Sequence, residues 1–378
     1  MTRFAISRLT FFLVAVGSLA APRPAAATAR FFADSADVKI TVDAHRILTV
    51  WRDGKATLTV QPVVSAAGGD PAGRLGYLLP VHGLPELDTA DPAVFADLFA
   101  LSSPSVVTER HQSGDGCESD SARRDEVFTP SVDAIAGTPS PDVTATVISP
   151  ATIGAAQSWL TDEGFAFTET DIAELKAELD GGARFVGVTF PRTGATTEPA
   201  PVAVNFFEPP DIRLALALSA ASTATGRAAE TVIFVVADKR FRILNYGSID
   251  ISELGTGVHD QLAAGDAGSY DVVLDRATER AGGRVFVTEM ARDLRTADLT
   301  VPDSVSALID DEIAFLTRLH ARVPPGSLAD PVVTFAKDGP EVLPEAVVPA
   351  PGVALGLGIG LLFALGFIRR RRPATPRA

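Results

Sequence analysis

The sequence predicts an α+β fold: a largely antiparallel sheet with helices packed on one face, followed by one C-terminal transmembrane helix. Three observations predict it. Four strand-like runs, ARFVGVTF, PVAVNFFEP, DIRLALALSA and TVIFVVAD, follow one another closely without an intervening helix, which favours antiparallel pairing. Two helical patterns with terminal signals precede these runs. Sixteen apolar residues at 353–368 lead directly into four arginines.

The first part of the domain is predicted to be rich in strands. VKITVDA (38–44) alternates, and Asp53-Gly54 separates two further alternating runs, which indicates a tight hairpin. RLGYLLPV (74–81) predicts another strand. Asp91, followed by Pro92, then predicts the N-cap of a short helix.

A stretch rich in Ser, Gly, Asp and Pro, 109–141, predicts a long loop and a candidate subdomain boundary. A strand is predicted at 143–149. Helices are predicted at 152–163 and after Thr170, which we take as the N-cap. After the four strand-like runs, the patterns predict a helix at 270–279, a strand in GRVFVTEM and a mixed segment at 304–321. No unit of 20 to 50 residues repeats along the chain.

The N-terminus has the pattern of a secretory signal peptide. Basic residues precede a short apolar run, and Ala27 and Ala29 form an A-x-A site that predicts cleavage before Arg30. A retained N-terminal anchor is the alternative. Cleavage would leave an extracytoplasmic domain at 30–340.

The C-terminus predicts a membrane span. As a helix, 353–368 is about 24 Å long, or about 33 Å if the span begins near 347. The arginine cluster predicts a short cytoplasmic tail, 369–378, and therefore a single-pass protein of the cell membrane whose domain lies outside. A buried core helix is the alternative. The cluster is Arg369, Arg370, Arg371 and Arg372.

Between the domain and the span lies a predicted Pro-rich linker, 341–352. It contains Val348-Pro349-Ala350-Pro351, which is similar to the Val-Pro-Glu-Pro motif of PEP-type tails. The resemblance implies a sorting peptidase as a partner, with Pro349 and Pro351 in its recognition motif. Ala350 stands where those tails have glutamate.

Composition excludes one class of partner. All 47 acidic residues but only 25 of the 33 basic ones lie between 30 and 345, so this part carries about 22 net negative charges. Such a field repels phosphate backbones, and we expect no nucleic-acid binding. Cys117 is the single cysteine and lies in a polar run, so we expect an exposed thiol or an intermolecular partner, and no intramolecular disulfide.

Motifs for chemistry are missing from the sequence. No H-E-x-x-H, G-x-S-x-G or S-x-x-K motif occurs, and the acidic loop 115–126 departs from a calcium-binding loop at the glycine position. The sequence therefore assigns no catalytic residue, cofactor or metal ligand. The five histidines are widely spaced: His45, His82, His111, His259 and His320.

Six segments occur in this order along the chain: Phe31-Phe32, RILTV, YLLPVHGLPEL, SWLTDEGF, RFVGVTF and VFVTEMA. Taken together, they resemble the bacterial exported family of domain of unknown function 2330. The likeness covers roughly 30–337, and the family brings no established activity or catalytic residues to carry over.

Together these patterns predict a non-enzymatic envelope protein, an interaction or structural module whose partner is a protein or a polysaccharide. The alternative is an envelope hydrolase that acts on polysaccharide or peptide through Asp and Glu residues brought together by the fold. A glycosidase of that kind would need two carboxylates about 5 to 9.5 Å apart across a cleft.

Overall fold

Sheet dominates the fold of this chain. A computed structural model describes residues 30–52, 54–110, 122–126, 135–207, 212–214, 229–254, 270–296, 298–323, 331–336 and 339–349. Within these ranges the chain forms twenty strands and six helices.

The strands of the first half are β1 (Arg30–Ala33), β2 (Lys39–Arg52), β3 (Lys55–Ala67), β4 (Arg74–His82), β5 (Glu86–Asp88), β6 (Ser105–Arg110), β7 (Ala122–Glu126), β8 (Thr138–Ser140), β9 (Thr144–Val147) and β10 (Ala183–Pro191). Those of the second half are β11 (Thr196–Pro199), β12 (Val202–Phe207), β13 (Ile212–Arg213), β14 (Ala229–Ala237), β15 (Phe241–Ile243), β16 (Gly247–Asp250), β17 (Val285–Asp293), β18 (Phe315–Val323), β19 (Val332–Phe335) and β20 (Glu345–Pro349). The helices are α1 (Val94–Ser102), α2 (Ile153–Asp162), α3 (Glu169–Asp180), α4 (Ile251–Leu254), α5 (Tyr270–Arg280) and α6 (Asp303–Ser306).

Ten of the strands form one central sheet in the order β16-β17-β18-β14-β2-β3-β11-β8, with β12 beside β3 and β5 beside β12. A second sheet has the order β1-β4-β10-β9, and two three-stranded sheets have the orders β13-β19-β15 and β20-β6-β7. The central sheet is mixed, because β14 runs parallel to β2, β16 to β17 and β11 to β8.

The main core lies between the central sheet and the four-stranded sheet. Because side chains alternate along a strand, Ile233 faces this core, whereas Phe234 points to the opposite side of the central sheet. Tyr77 and Val188 enter the core from the four-stranded sheet. The arrangement is a sandwich of two sheets with helices on its outer sides.

Each outer side has its own apolar cluster. On the central sheet, α1 and α6 cover one part of the outer face, and α4 and α5 cover another. On the four-stranded sheet, α2 and α3 pack on Leu78 and Phe185. The glycine at 187 permits close packing here, because a Cβ at that position would lie 2.4 Å from Cε2 of Trp159.

The predicted hairpin is confirmed. Strands β2 and β3 pair over their whole lengths, and Arg52 and Lys55 face each other across a two-residue turn. Gly54 has a φ of 77°, in the left-handed region that this kind of turn needs and that glycine adopts without strain.

The predicted fold class, α+β with helices on one face and a C-terminal transmembrane helix, is wrong. The structure is sheet-rich, and its helices lie on the outer sides of two different sheets. The strand-like runs that predicted one antiparallel sheet are divided between three sheets. Short loops between strands do not decide which strands pair, because pairing depends on contacts between distant parts of the chain.

Within the described part of the chain, no helix combines the length and the apolar composition needed to cross a membrane. The predicted span, 353–368, and the arginine cluster that follows it lie outside the described residues. Residues 347–349, where the longer version of the span would begin, form the end of β20.

Several predicted helices and strands lie within a few residues of their observed positions. The helix predicted at 152–163 is α2, and Thr152 is its N-cap, with its hydroxyl accepting a hydrogen bond from the Ala155 amide. The N-cap of α3 is Thr168 and not Thr170, because Thr168 and Asp171 satisfy each other's backbone amides in a capping box. Helix α1 begins at Val94, and Asp91 accepts a hydrogen bond from the Ala93 amide in the preceding turn. The predicted loop 109–141 contains β7 and β8.

Candidate functional site

A cleft of about 780 Å³ opens on the outer face of the central sheet. Its floor is formed by four neighbouring strands, β2, β3, β12 and β5. Residues opposite one another on paired strands share a face, so the register of the ladder arranges the floor in rows.

Three rows of side chains cross this floor and line the cleft. The first row is Leu48, Thr59, Ala203 and Asp88. The second row is Val50, Thr57, Asn205 and Glu86. The third begins with Arg52 and Lys55, beside the hairpin turn. The floor therefore changes from apolar on β2, through hydroxyl and amide groups, to carboxylates on β5.

The walls come from two connections that pack on the sheet. Residues 89–91 and Val94 form one wall, and Ser304, Ala307 and Leu308 form another. Val94 belongs to the apolar cluster beneath α1, and Leu308 packs against it. One side of the cleft is thus the margin of a packed apolar cluster.

A chain of hydrogen bonds crosses the floor. The Thr57 hydroxyl donates to Oδ1 of Asn205 over 2.5 Å, and the Asn205 amide nitrogen donates to Asp88 over 2.9 Å. The amide orientation is set by these partners, since the carboxylate can only accept. These two hydrogen bonds orient the Asp88 carboxylate on β5, the outermost of the four strands.

Positive and negative side chains lie at different parts of the rim of the cleft. The guanidinium of Arg52 lies 2.6 Å from Asp310, and both side chains are about half exposed. Lys55 is exposed beside it, while Glu86, Asp88 and Asp91 are exposed at the β5 side. Solvent screens exposed charges of this kind, so the ion pair between Arg52 and Asp310 contributes little to stability.

A second polar cluster lies on the same face of the sheet but is buried beneath α5. His320 of β18 lies between two carboxylates: Nδ1 is 2.6 Å from Glu289 and Nε2 is 2.8 Å from Glu230. Arg318 lies 2.5 Å from the other oxygen of Glu289, and Arg322 pairs with Glu230. We call these five residues the buried ionic network.

The sequence of β17 and β18 explains how the network forms. Arg318, His320 and Arg322 alternate along β18 and so share one face. Glu289 occupies a β-bulge between Thr288 and Met290, which changes the direction of its side chain. Helix α5 closes the cluster, since the Tyr270 hydroxyl donates to Glu289 and Asp271 pairs with Arg322.

The network holds His320 as an imidazolium. Burial alone would lower the pKa of His320, but the carboxylates of Glu289 and Glu230 outweigh that effect and raise it to about 9. Burial would likewise raise the pKa of Glu289, whereas Arg318 and His320 lower it to about 2. His320 is fully buried and donates from both ring nitrogens, so it is not available as a base.

In two other buried residues, burial is the cause of a shifted pKa. Burial lowers the pKa of His45 to about 4, and burial raises the pKa of the Tyr77 phenol above its ordinary range. Both residues face the core between the sheets, and neither lines the cleft. Both are therefore neutral near pH 7.

The described residues contain no group of three or more His, Cys, Asp or Glu side chains placed to hold a metal ion. The cleft offers a ligand apolar surface, hydrogen-bonding groups, and both positive and negative side chains. A hydrolase would need its carboxylates here, and those that line the cleft are Glu86, Asp88 and Asp91.

The structure describes only two of the residues that the sequence predicted for processing. Arg30 is the first residue of β1, and its side chain pairs with Asp171 and Glu174 of α3. Pro349 ends β20, opposite Glu109 of β6. The others, together with Cys117, lie outside the described residues: Ala27, Ala29, Pro351, Arg369, Arg370, Arg371 and Arg372.

Sequence reasoning did not identify the cleft. One signal was present, because KATLT places Lys55, Thr57 and Thr59 on one face of a strand and apolar residues on the other. Strands β12 and β5 supply the rest of the floor from nearly 150 and about 30 residues further along. No local pattern reports such a register.

Comparison with known proteins agrees with the resemblance seen in the sequence. No curated protein matches the chain at a significant level. A crystal structure of baculovirus P35 is similar over 79% of this chain and 98% of that one, with a TM-score of 0.33 and 8% identity, values too low to support a functional argument. A family model described as an uncharacterized protein conserved in bacteria (DUF2330) matches residues 23–334. The chain therefore belongs to this family of bacterial proteins, DUF2330.

Proposed function

We propose that this protein is a non-enzymatic binding module that works outside the cytoplasm, and that the cleft on the central sheet is its binding site. The volume of the cleft, about 780 Å³, lies in the range of small-ligand sites. Its apolar margin and its central polar groups are the combination that fixes the orientation of a bound molecule.

One observation carries the proposal: the cleft and the strongly shifted ionisable groups are separate. Active sites tend to gather perturbed acids and bases in an accessible cleft. Here His320 and Glu289 are fully buried, and neither they nor Glu230 line the cleft. The buried ionic network joins three strands and a helix, which is a structural role.

The location outside the cytoplasm is part of the proposal and rests on the signal pattern at 1–29. Cleavage before Arg30 is compatible with the fold, because Arg30 already begins β1 and pairs with α3. Mass spectrometry of the mature protein from cell envelopes tests it. A mature N-terminus at Arg30 supports export, whereas a chain that retains Met1 in the cytosolic fraction contradicts it. The same spectrum shows whether a sorting peptidase removes the residues after Pro351.

Binding is tested by blocking the cleft. Ala307 is exposed and lines the cleft, so Ala307→Trp should fill it, while Ala281→Trp adds the same side chain to an exposed turn elsewhere. We expect full-length protein screened with peptides and oligosaccharides to show thermal stabilisation that is lost in A307W and kept in A281W. Every compound should be recovered intact. Turnover of a compound, or stabilisation that survives A307W, would contradict the proposal.

A further inference from the structure

The charges of the cleft are arranged along a diagonal of its floor. Arg52 and Lys55 lie at the hairpin end of β2 and β3, and Glu86 and Asp88 lie on β5, at the opposite corner. Residues two positions apart on a strand are separated by about 7 Å, and adjacent strands by about 4.8 Å. The distance from Lys55 to Glu86 along the sheet is therefore about 12 Å.

Between the charged corners the floor is apolar or weakly polar. Leu48 and Val50 lie on one side, beside Val94 and Leu308 of the walls. Thr57 and Asn205 lie in the middle and are bonded to each other. A ligand that spans the cleft meets an end where the two cations, Arg52 and Lys55, outnumber the carboxylate of Asp310 that pairs with Arg52. It meets carboxylates at the other end and an apolar side between the two.

We propose that the ligand of the cleft is a short peptide with free termini and apolar side chains, bound extended across the sheet. This inference rests on the proposed binding function and specifies its ligand class. The α-carboxylate lies at Arg52 and Lys55, and the α-ammonium lies at Glu86 and Asp88. An extended chain advances about 3.3 Å per residue, so three to four residues match the span of about 12 Å.

The same geometry disfavours other ligands. A polyanion would meet Glu86, Asp88 and Asp91, and a polycation would meet Arg52 and Lys55. A dipolar, apolar peptide satisfies both corners and the side between them.

Calorimetry on full-length protein with trileucine tests the inference, using forms of the peptide that lack one charge each. N-acetyl-trileucine lacks the amine, and trileucine amide lacks the carboxylate. We expect each modification to weaken binding about fivefold or more. Lys55→Gln should weaken the binding of trileucine to a similar extent and leave the binding of trileucine amide unchanged. Glu86→Gln should weaken the binding of trileucine and leave the binding of N-acetyl-trileucine unchanged.

The outcomes separate this inference from the proposed function. If both modified peptides bind as well as trileucine, or if the two variants do not discriminate between them, the peptide assignment is wrong. Suppose that trileucine does not bind, but an oligosaccharide binds to the wild type and not to A307W. The peptide assignment is then also wrong, and the proposed binding function is supported. Circular dichroism of each variant should show an unchanged melting temperature, because Lys55 and Glu86 are exposed.

Discussion

Glu289 lies at the bulge of β17, and its carboxylate is 2.6 Å from Nδ1 of His320 on the neighbouring strand. Both side chains are fully buried. Placing two charges in the interior is costly unless each has partners, and here Arg318 and Glu230 complete the set. Each charge of the network is therefore required by the others.

Removing one of these charges should destabilise the protein strongly. We expect Glu289→Gln to lower the free energy of unfolding by about 3 to 5 kcal/mol, because His320 and Arg318 keep buried charges without their common partner. Urea denaturation measures it. The control is Glu279→Gln, an exposed change on α5 that should cost less than about 0.5 kcal/mol. Equal effects of the two variants would show that the network contributes no specific stability.

Stability should decrease as the pH becomes alkaline. The pKa of His320 is about 9 in the folded protein and near 6.5 when unfolded, so its contribution is complete below pH 6.5 and is lost as the pH rises through 9. Melting temperatures between pH 6 and 10 should fall for the wild type and fall less for His320→Gln. Parallel curves for the two proteins would assign the decrease to other groups.

Mild acid should also weaken the fold, through a different histidine. The pKa of His45 is lowered to about 4 by burial, so the unfolded chain binds its proton more readily between pH 6.5 and 4, and stability falls as the pH decreases. His45→Leu removes the titrating group while keeping an apolar side chain of similar size. We expect the difference in unfolding free energy between wild type and variant to change across this interval. A constant difference would contradict the assignment.

The packing of α2 on the four-stranded sheet depends on a glycine. A Cβ at Gly187 would overlap the Trp159 ring, so Gly187→Ala should cost about 1 to 3 kcal/mol. Gly154 lies exposed in α2 with open space around it, and Gly154→Ala should stabilise by about 0.5 to 1 kcal/mol. Thermal unfolding compares them, and the prediction fails if both changes act in the same direction.

The capping box distinguishes two neighbouring threonines. Thr168→Ala removes the hydroxyl that accepts from the Asp171 amide and should cost about 0.5 to 2 kcal/mol. Thr170 is exposed within α3, so Thr170→Ala should change stability by less than about 0.5 kcal/mol. A larger loss of stability in the Thr170 variant would contradict this assignment and indicate that Thr170 is the N-cap, as the sequence predicted.

That cap illustrates how far local patterns reach. Two threonines lie two residues apart, and either could begin a helix; which one does so depends on whether an acidic side chain falls at the third helical position. The hairpin at Gly54 was predictable, because both strands and the turn are contiguous in sequence. Strand β14 was also predictable as a strand, but its parallel pairing with β2 was not, since these strands are nearly 200 residues apart.

The sequence by itself determined the hairpin, most helices and strands to within a few residues, the acidic charge of the domain and its family resemblance. These follow from side-chain period, turn chemistry and composition, which act over short stretches of chain. Only the tertiary structure decided which strands pair, that the helices cover two different sheets, and that Glu289 and His320 meet. It also brought the rows of the cleft together, because register between distant strands is set by packing of the whole core.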